Sequence, residues 1–348
     1  MRFAIKTRPE HQTWEEIRDA WIAADEIPLF ESAWNWDHFY PLSGDLTGPN
    51  FEAWTMLAAL AQATRRIRLG CQVTGMVYRH PAVLANMAAT VDIISGGRLE
   101  LGLGAGWNQM ECDAYGIDLP PLRERFDRFD EGVEAIVGLL SQTTTTFAGR
   151  YVKLTDARCE PKPVQRPHPP IMNAGSSAIG ARFAAKHADI AFIGFYEDGL
   201  EDGKAKVEEM RRIGREDFSR DFQIWTSCRV VCRPTEREAR DYAHYYIHEK
   251  GDFAAIETII AEQGRRDPNM PPELYDRIKR RMVAGWDGYS LVGTAEQIVD
   301  ELGRLSRAGL DGVVLSWVNY HDEMRQWMAE VMPLIEQAGL RKLYRPMP

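Results

Sequence analysis

Short apolar runs alternate with amphipathic stretches along nearly the whole chain. Residues 2–6, 28–34, 67–73, 99–101, 170–173, 189–193, 222–232 and 312–317 read as strands. They are short, apolar runs of the kind found in strands buried on both faces. Helices are expected over residues 13–24, 51–63, 123–140, 178–187, 294–308 and 323–336. Another opens at Pro81, runs through Val83, Leu84, Met87 and Val91, and stops at Gly96-Gly97. Thr13 with Glu16 three residues on forms a capping box, and Thr294 is placed to cap its helix. The stretch from Arg66 to Trp107 is the clearest unit: strand, helix, strand, then a glycine-rich turn. A crossover of that kind forces its two strands to run parallel.

Two segments interrupt the alternation. Residues 143–147 and 151–154, around Gly149-Arg150, read as a hairpin. A stiff connection follows through Pro161, Pro163, Pro167, Pro169 and Pro170, giving an insertion over 141–170. Residues 235–290 hold helical pieces (236–249, 253–262, 273–282) around Asp267-Pro268-Asn269 and form a second insertion. Eight strand–helix pairs predict one α/β domain over residues 1–348, a closed parallel (β/α)8 TIM barrel carrying these insertions.

Composition narrows the partners. The 348 residues carry a net charge of −9 and no block of lysine or arginine, which argues against nucleic acid. No apolar run nears the roughly 20 residues of a membrane span, and no leader precedes the first strand, so a cytoplasmic protein off the membrane is expected. Five cysteines without a CxxC pair suit buried, reduced thiols. His244 and His248 sit a helical turn apart but lack a third ligand, so no metal is assigned. No GxSxG elbow supports hydrolysis. The run Gly102-x-Gly104-x-Gly106 fails as a dinucleotide fingerprint, because Trp107 follows it and it ends the fourth strand rather than the first.

Chemistry in such a barrel sits past the carboxyl ends of the strands, which points to residues 35–39, 73–76, 104–108, 173–177 and 194–196. The turn Asn173-Ala174-Gly175-Ser176-Ser177 precedes a helix. Its amide groups and the helix dipole suit a phosphate, although a lone serine there could be only an N-cap. His38 could bond a cofactor ring or hold a proton near neutral pH, or simply pack among aromatic neighbours. Trp36, Phe39 and Trp107, with Trp34, could wall a water-poor cavity or fill core.

DHF at 37–39, HPAVLANMAATVDIISGGRLELGLGAGW at 80–107, CEPKPVQRPHPPI at 159–171 and LVGTAEQIVDEL at 291–302 together resemble the luciferase-like flavin-dependent oxidoreductases. The resemblance implies a flavin phosphate held at Asn173, Ala174, Gly175, Ser176 and Ser177. It places the flavin ring across a bulge at Val73-Thr74-Gly75, with a cis peptide near Gln72-Val73-Thr74. Gly104 and Gly194 lie on the same cofactor-facing loops. Two branches are similar to parts of the chain. Two-component FMN monooxygenases imply reduced FMN, O2, a separate flavin reductase, a small and possibly N-heterocyclic substrate, and a homodimer. In that reading His38, Trp36 and Trp107 are the catalytic set, His38 managing a proton and the indoles excluding water. The other branch uses the deazaflavin coenzyme F-420 for hydride transfer. The chain departs from both patterns: Trp107 stands where the sugar-phosphate dehydrogenases carry a glutamate, Phe126 where monooxygenases often have a tyrosine, and Gly102 where they have an asparagine. A non-catalytic flavin-binding protein is the third reading.

Overall fold

Eight parallel strands close on themselves in the computed structural model, which describes residues 1–175, 177–196, 199–267, 269–286 and 288–341. They are β1 (Arg2–Lys6), β2 (Phe30–Asn35), β3 (Arg68–Cys71), β4 (Leu99–Gly104), β5 (Ile171–Asn173), β6 (Ile190–Phe192), β7 (Gln223–Cys232) and β8 (Gly312–Ser316). Each pairs with the next, and β8 returns to β1. These are the eight strands expected from the apolar runs, and the fold is the (β/α)8 barrel. Side chains alternate across each strand, so one set packs outward on the helices while the other fills the barrel. Ala4, Trp34, Met172, Ile190, Phe192, Trp225 and Val314 form that inner layer. Trp34 is therefore core filling rather than cavity wall. Gly312 makes room for the Trp225 indole, whose nearest ring atom is 2.4 Å from where a Cβ would stand.

Several elements lie outside the expected pattern, and two of them bear on the closure of the barrel. The helix Leu200–Phe218 joins β6 to β7, a stretch with no helix assigned from sequence. Its buried residues are only Gly203, Val207, Met210 and Gly214, a stripe too thin to stand out among so many charged residues. A further parallel strand, Tyr289–Gly293, pairs with residues 228–232 of β7. β6 covers only residues 223–225 of the much longer β7, so the extra strand satisfies backbone groups that would otherwise be an open edge.

Thr145–Ala148 pairs antiparallel with Lys153–Ala157, about two residues later than the sequence suggests. In the second insertion, Phe253–Glu262 and Pro272–Gly285 lie over the barrel mouth, where Ile256, Ile259, Ile260 and Met282 cluster with Trp36 and Leu42.

β3 and β4 approach unusually closely at Gly102, where an added Cβ would lie 1.8 Å from the Cys71 carbonyl oxygen. An asparagine, the residue implied there by the resemblance, does not fit without moving β3. We expect Gly102→Ala to cost about 1–3 kcal/mol of stability by overpacking, read by denaturant unfolding. Unchanged stability would contradict this approach of the two strands.

Candidate active site

The end of β3 breaks its ladder. Gly70 pairs with Glu100, yet the next pairing joins Thr74 to Leu103, so this side spends one residue more than β4. The extra residue makes a bulge at residues 71–73. The Gln72–Val73 peptide is cis, as the resemblance implies. Asp37, just past β2, holds the bulge in place. Its carboxylate accepts from the Gly75 N–H at 3.0 Å and from both ends of the Arg79 guanidinium at 2.6 and 2.9 Å. Burial lifts the Asp37 carboxyl above its ordinary value, and the Arg79 bonds work the other way. Thr74 is buried and accepts from the Trp54 indole N–H at 3.2 Å.

One residue on, His38 points at a partner that sequence reasoning missed. Its Nδ1 lies 2.8 Å from Oε2 of Glu111. Glu111 is fully buried and also accepts from the Tyr78 hydroxyl at 2.6 Å and from the Phe39 and Tyr40 N–H groups at 2.7 and 3.0 Å. Burial alone would raise its carboxyl, but the His38, Tyr78 and backbone bonds outweigh that and hold it below the ordinary value. The sequence signal was ambiguous. Asn108 three residues before Glu111 reads as a capping box, and Asn108 does cap the helix Gln109–Tyr115. The Glu111 side chain goes to His38 instead of back to the cap. A carboxylate thus reaches His38 from one turn beyond Trp107, where the resemblance had placed a glutamate.

The His38 ring sits edge-on to Trp107 at 5.2 Å between centroids and to Trp36 at 6.1 Å. Trp36 in turn meets Trp286, contributed by the second insertion, at 5.4 Å. His38, Trp36 and Trp107 are therefore neighbours. Phe39 packs instead between Tyr78 and Tyr115, to one side.

The cofactor-facing candidates fall into two groups on the same rim. Val73, Thr74 and Gly75 meet β4 at Gly104, where an added Cβ would lie 2.5 Å from Val73 Cγ2. After β5, Asn173 donates to the Leu103 carbonyl and accepts from the Gly175 N–H, both at 2.9 Å. Ala174 is exposed. Gly175 is a glycine because Gly180 Cα would lie 2.8 Å from a Cβ there. Ser177 caps the helix Ala178–His187, accepting from the Gly180 N–H at 3.1 Å. Ser176 lies outside the described residues. Gly194 is half-buried just past β6, beside the Tyr196 hydroxyl.

These residues fit a flavin. Asn35 Oδ1, Trp36 Nε1 and Gln72 Oε1 are buried polar atoms with no hydrogen-bond partner among the described residues, and all three stand at the ends of β2 and β3. Such atoms are costly without a partner. A flavin ring, with its N3–H donor and carbonyl acceptors, offers both kinds. The amino end of the helix Ala178–His187 suits the phosphate.

Sequence reasoning also missed Lys6 at the end of β1, Arg8 just past it, and Arg229 on β7. With Trp36, Trp286, Ser227, Ser316 and Tyr320 they line a cavity of about 30 Å3 at the mouth. The signal was there in the alternation: Lys6 follows Ala4, and Ser227 and Arg229 follow Trp225, each two residues along the inward face.

The sequence profile described as luciferase-like monooxygenase matches residues 1–312. The pyrimidine monooxygenase RutA of Allorhizobium ampelinum is 29% identical, with 82% of this chain and 79% of that protein aligned. An FMNH2-dependent dimethylsulfone monooxygenase of Pseudomonas putida is 28% identical over the same shares. A coenzyme F-420-dependent glucose-6-phosphate dehydrogenase of Amycolatopsis mediterranei is also 28% identical, with 91% and 93% aligned.

Glu111→Gln tests the pairing at His38. Losing charge from these bonds should cost about 1.5–3 kcal/mol at pH 7. The wild-type carboxyl is held low when folded, so its advantage is full above the ordinary glutamate range and disappears as pH falls through the folded value. Unfolding measured from pH 7 down to pH 3 should show the gap between the two proteins shrinking with acid. A gap independent of pH would contradict the assignment.

Proposed function

Because the chain belongs to the luciferase-like monooxygenase family, we propose that it uses reduced FMN and O2 to oxygenate a small organic substrate at the barrel mouth, with reduced flavin delivered by a separate reductase. When bound, reduced FMN supplies the electrons that activate O2 for transfer of one oxygen atom. The residues around it bind, orient and shield. Val73, Thr74, Gly75 and Gly104 make the floor for the ring. Asn173, Ala174, Gly175, Ser176 and Ser177 hold the phosphate, with Gly194 alongside.

The observation that carries this reading is His38, braced by a buried carboxylate and set among indoles. Glu111 takes Nδ1, which leaves Nε2 as the nitrogen that exchanges a proton with the reacting atoms. Trp36, Trp107 and Trp286 keep bulk water from a site where water would divert the activated oxygen. Hydride transfer with coenzyme F-420 is the second reading. The dehydrogenase relative favours it, since it aligns over a larger share of both chains than either monooxygenase.

Two measurements separate these. Quenching of tryptophan fluorescence should report tight binding of FMN and none of coenzyme F-420; the reverse order would favour hydride transfer. With reduced FMN regenerated by a reductase and a panel of small N-heterocycles, sulfones and organic acids, 18O from 18O2 should appear in product. His38→Ala should slow turnover about a hundredfold or more. No label in any product would remove the monooxygenase reading.

A further inference from the structure

Three cations converge where an otherwise acidic chain has little to balance them. Arg229 is 6% exposed and uses its Nε on the Ala284 carbonyl at 3.0 Å. Lys6 and Arg8 are half-buried, with Lys6 Nζ 5.5 Å and the Arg8 guanidinium carbon 5.7 Å from the centre of the Trp36 ring. Among the described residues, the one carboxylate that meets them is Glu10, 3.5 Å from Arg8. Glu10 is already engaged by the Leu42 N–H at 2.6 Å and the Ser43 hydroxyl at 3.2 Å. Among the described residues no carboxylate is recorded against Lys6 or Arg229. Burial pushes the Lys6 ammonium down to about 8, with Arg8 adding in the same direction. Burial, and then the Arg229 charge, lowers Arg8 as well. Gathering like charges in a half-buried pocket is costly unless an anion completes it.

The position of the cluster identifies the anion's owner. Lys6 ends β1, Arg229 lies on β7 and Ser316 ends β8, three neighbouring strands. The bulge and the serine turn stand on β3, β4 and β5, on the other side of the ring. A flavin spread between those two features leaves the cationic side for the second reactant. The cavity is small, about 30 Å3, so it takes a compact headgroup rather than a ring. Ser227 and Ser316 add hydroxyls, while Trp36 and Trp286 form the apolar wall beyond.

We propose that Lys6, Arg8 and Arg229 bind the carboxylate of an organic acid substrate, with its apolar portion against Trp36 and Trp286. This rests on the reading of the rim as the reaction site and names the substrate class for it.

Hexanoate and hexanamide, nearly equal in shape and different in charge, test the pocket by calorimetry on the cofactor-free protein. Wild type should prefer hexanoate at least tenfold, the scale of a charge-assisted hydrogen bond. Arg229→Gln and Lys6→Gln should each remove most of that preference and leave hexanamide binding within about twofold. FMN and riboflavin binding should be unchanged in both variants. No preference in wild type, or a preference that survives in both variants, overturns the proposal. So does a tenfold loss of FMN affinity without a loss for riboflavin, which would assign the cations to the cofactor phosphate. A protein that keeps the charge preference yet incorporates no labelled oxygen retains the pocket and loses only the monooxygenase reading.

Discussion

The buried Asp37 carboxylate is the tie on which the mouth depends. It joins the end of β2 to the bulge after β3 through the Gly75 N–H, and to Arg79 through two further bonds. A carboxylate this deeply buried is tolerable only with such partners, and removing one from a buried pair typically costs about 3–5 kcal/mol. Trp36 and His38 flank it in sequence. Fixing Asp37 therefore fixes the directions in which the indole and the imidazole leave β2. Glu111 then locks the imidazole from the far side, and the helix carrying it starts just beyond Trp107. One ion pair and one carboxylate thus place an imidazole among aromatic walls above the bulge.

The second insertion completes what the barrel leaves open. Helices Phe253–Glu262 and Pro272–Gly285 roof the mouth with Ile256, Ile259, Ile260 and Met282, and deliver Trp286 against Trp36. Trp286 takes a positive φ of 58° at the end of its helix, so the chain turns there directly back toward β7. The strand Tyr289–Gly293 then occupies the edge of β7 that β6 is too short to cover. Roof and extra strand are parts of one excursion whose two outcomes are a shielded mouth and a satisfied backbone.

The barrel was legible because each strand is a short, mostly apolar run and the helices between them carry clear stripes and caps. Thr13, Thr235 and Thr294 all form capping boxes. Leu200–Phe218 escaped notice because its buried face is narrow, and Tyr289–Gly293 because its purpose is set by the unequal lengths of β6 and β7. Position past a strand end led to His38, Trp36 and Trp107, which the fold brings together as neighbours. Glu111 did not reveal itself, since only the tertiary fold brings it across 73 residues to His38. Trp34 shows the converse: one strand position decides between core and cavity, and two residues before Trp36 the indole is inside the barrel. Lys6 and Arg229 were readable in principle, as charges on the inward face of apolar strands, once the strand register was known.

A crystal structure with FMN bound tests the central claim most directly. The account predicts the isoalloxazine lying on the 72–75 bulge within reach of Gln72, its phosphate at the turn after β5, and His38 and Trp36 facing the ring with the Lys6–Arg229 pocket left open beside it. A ring docked away from the bulge, or a phosphate seated among Lys6, Arg8 and Arg229, would contradict it.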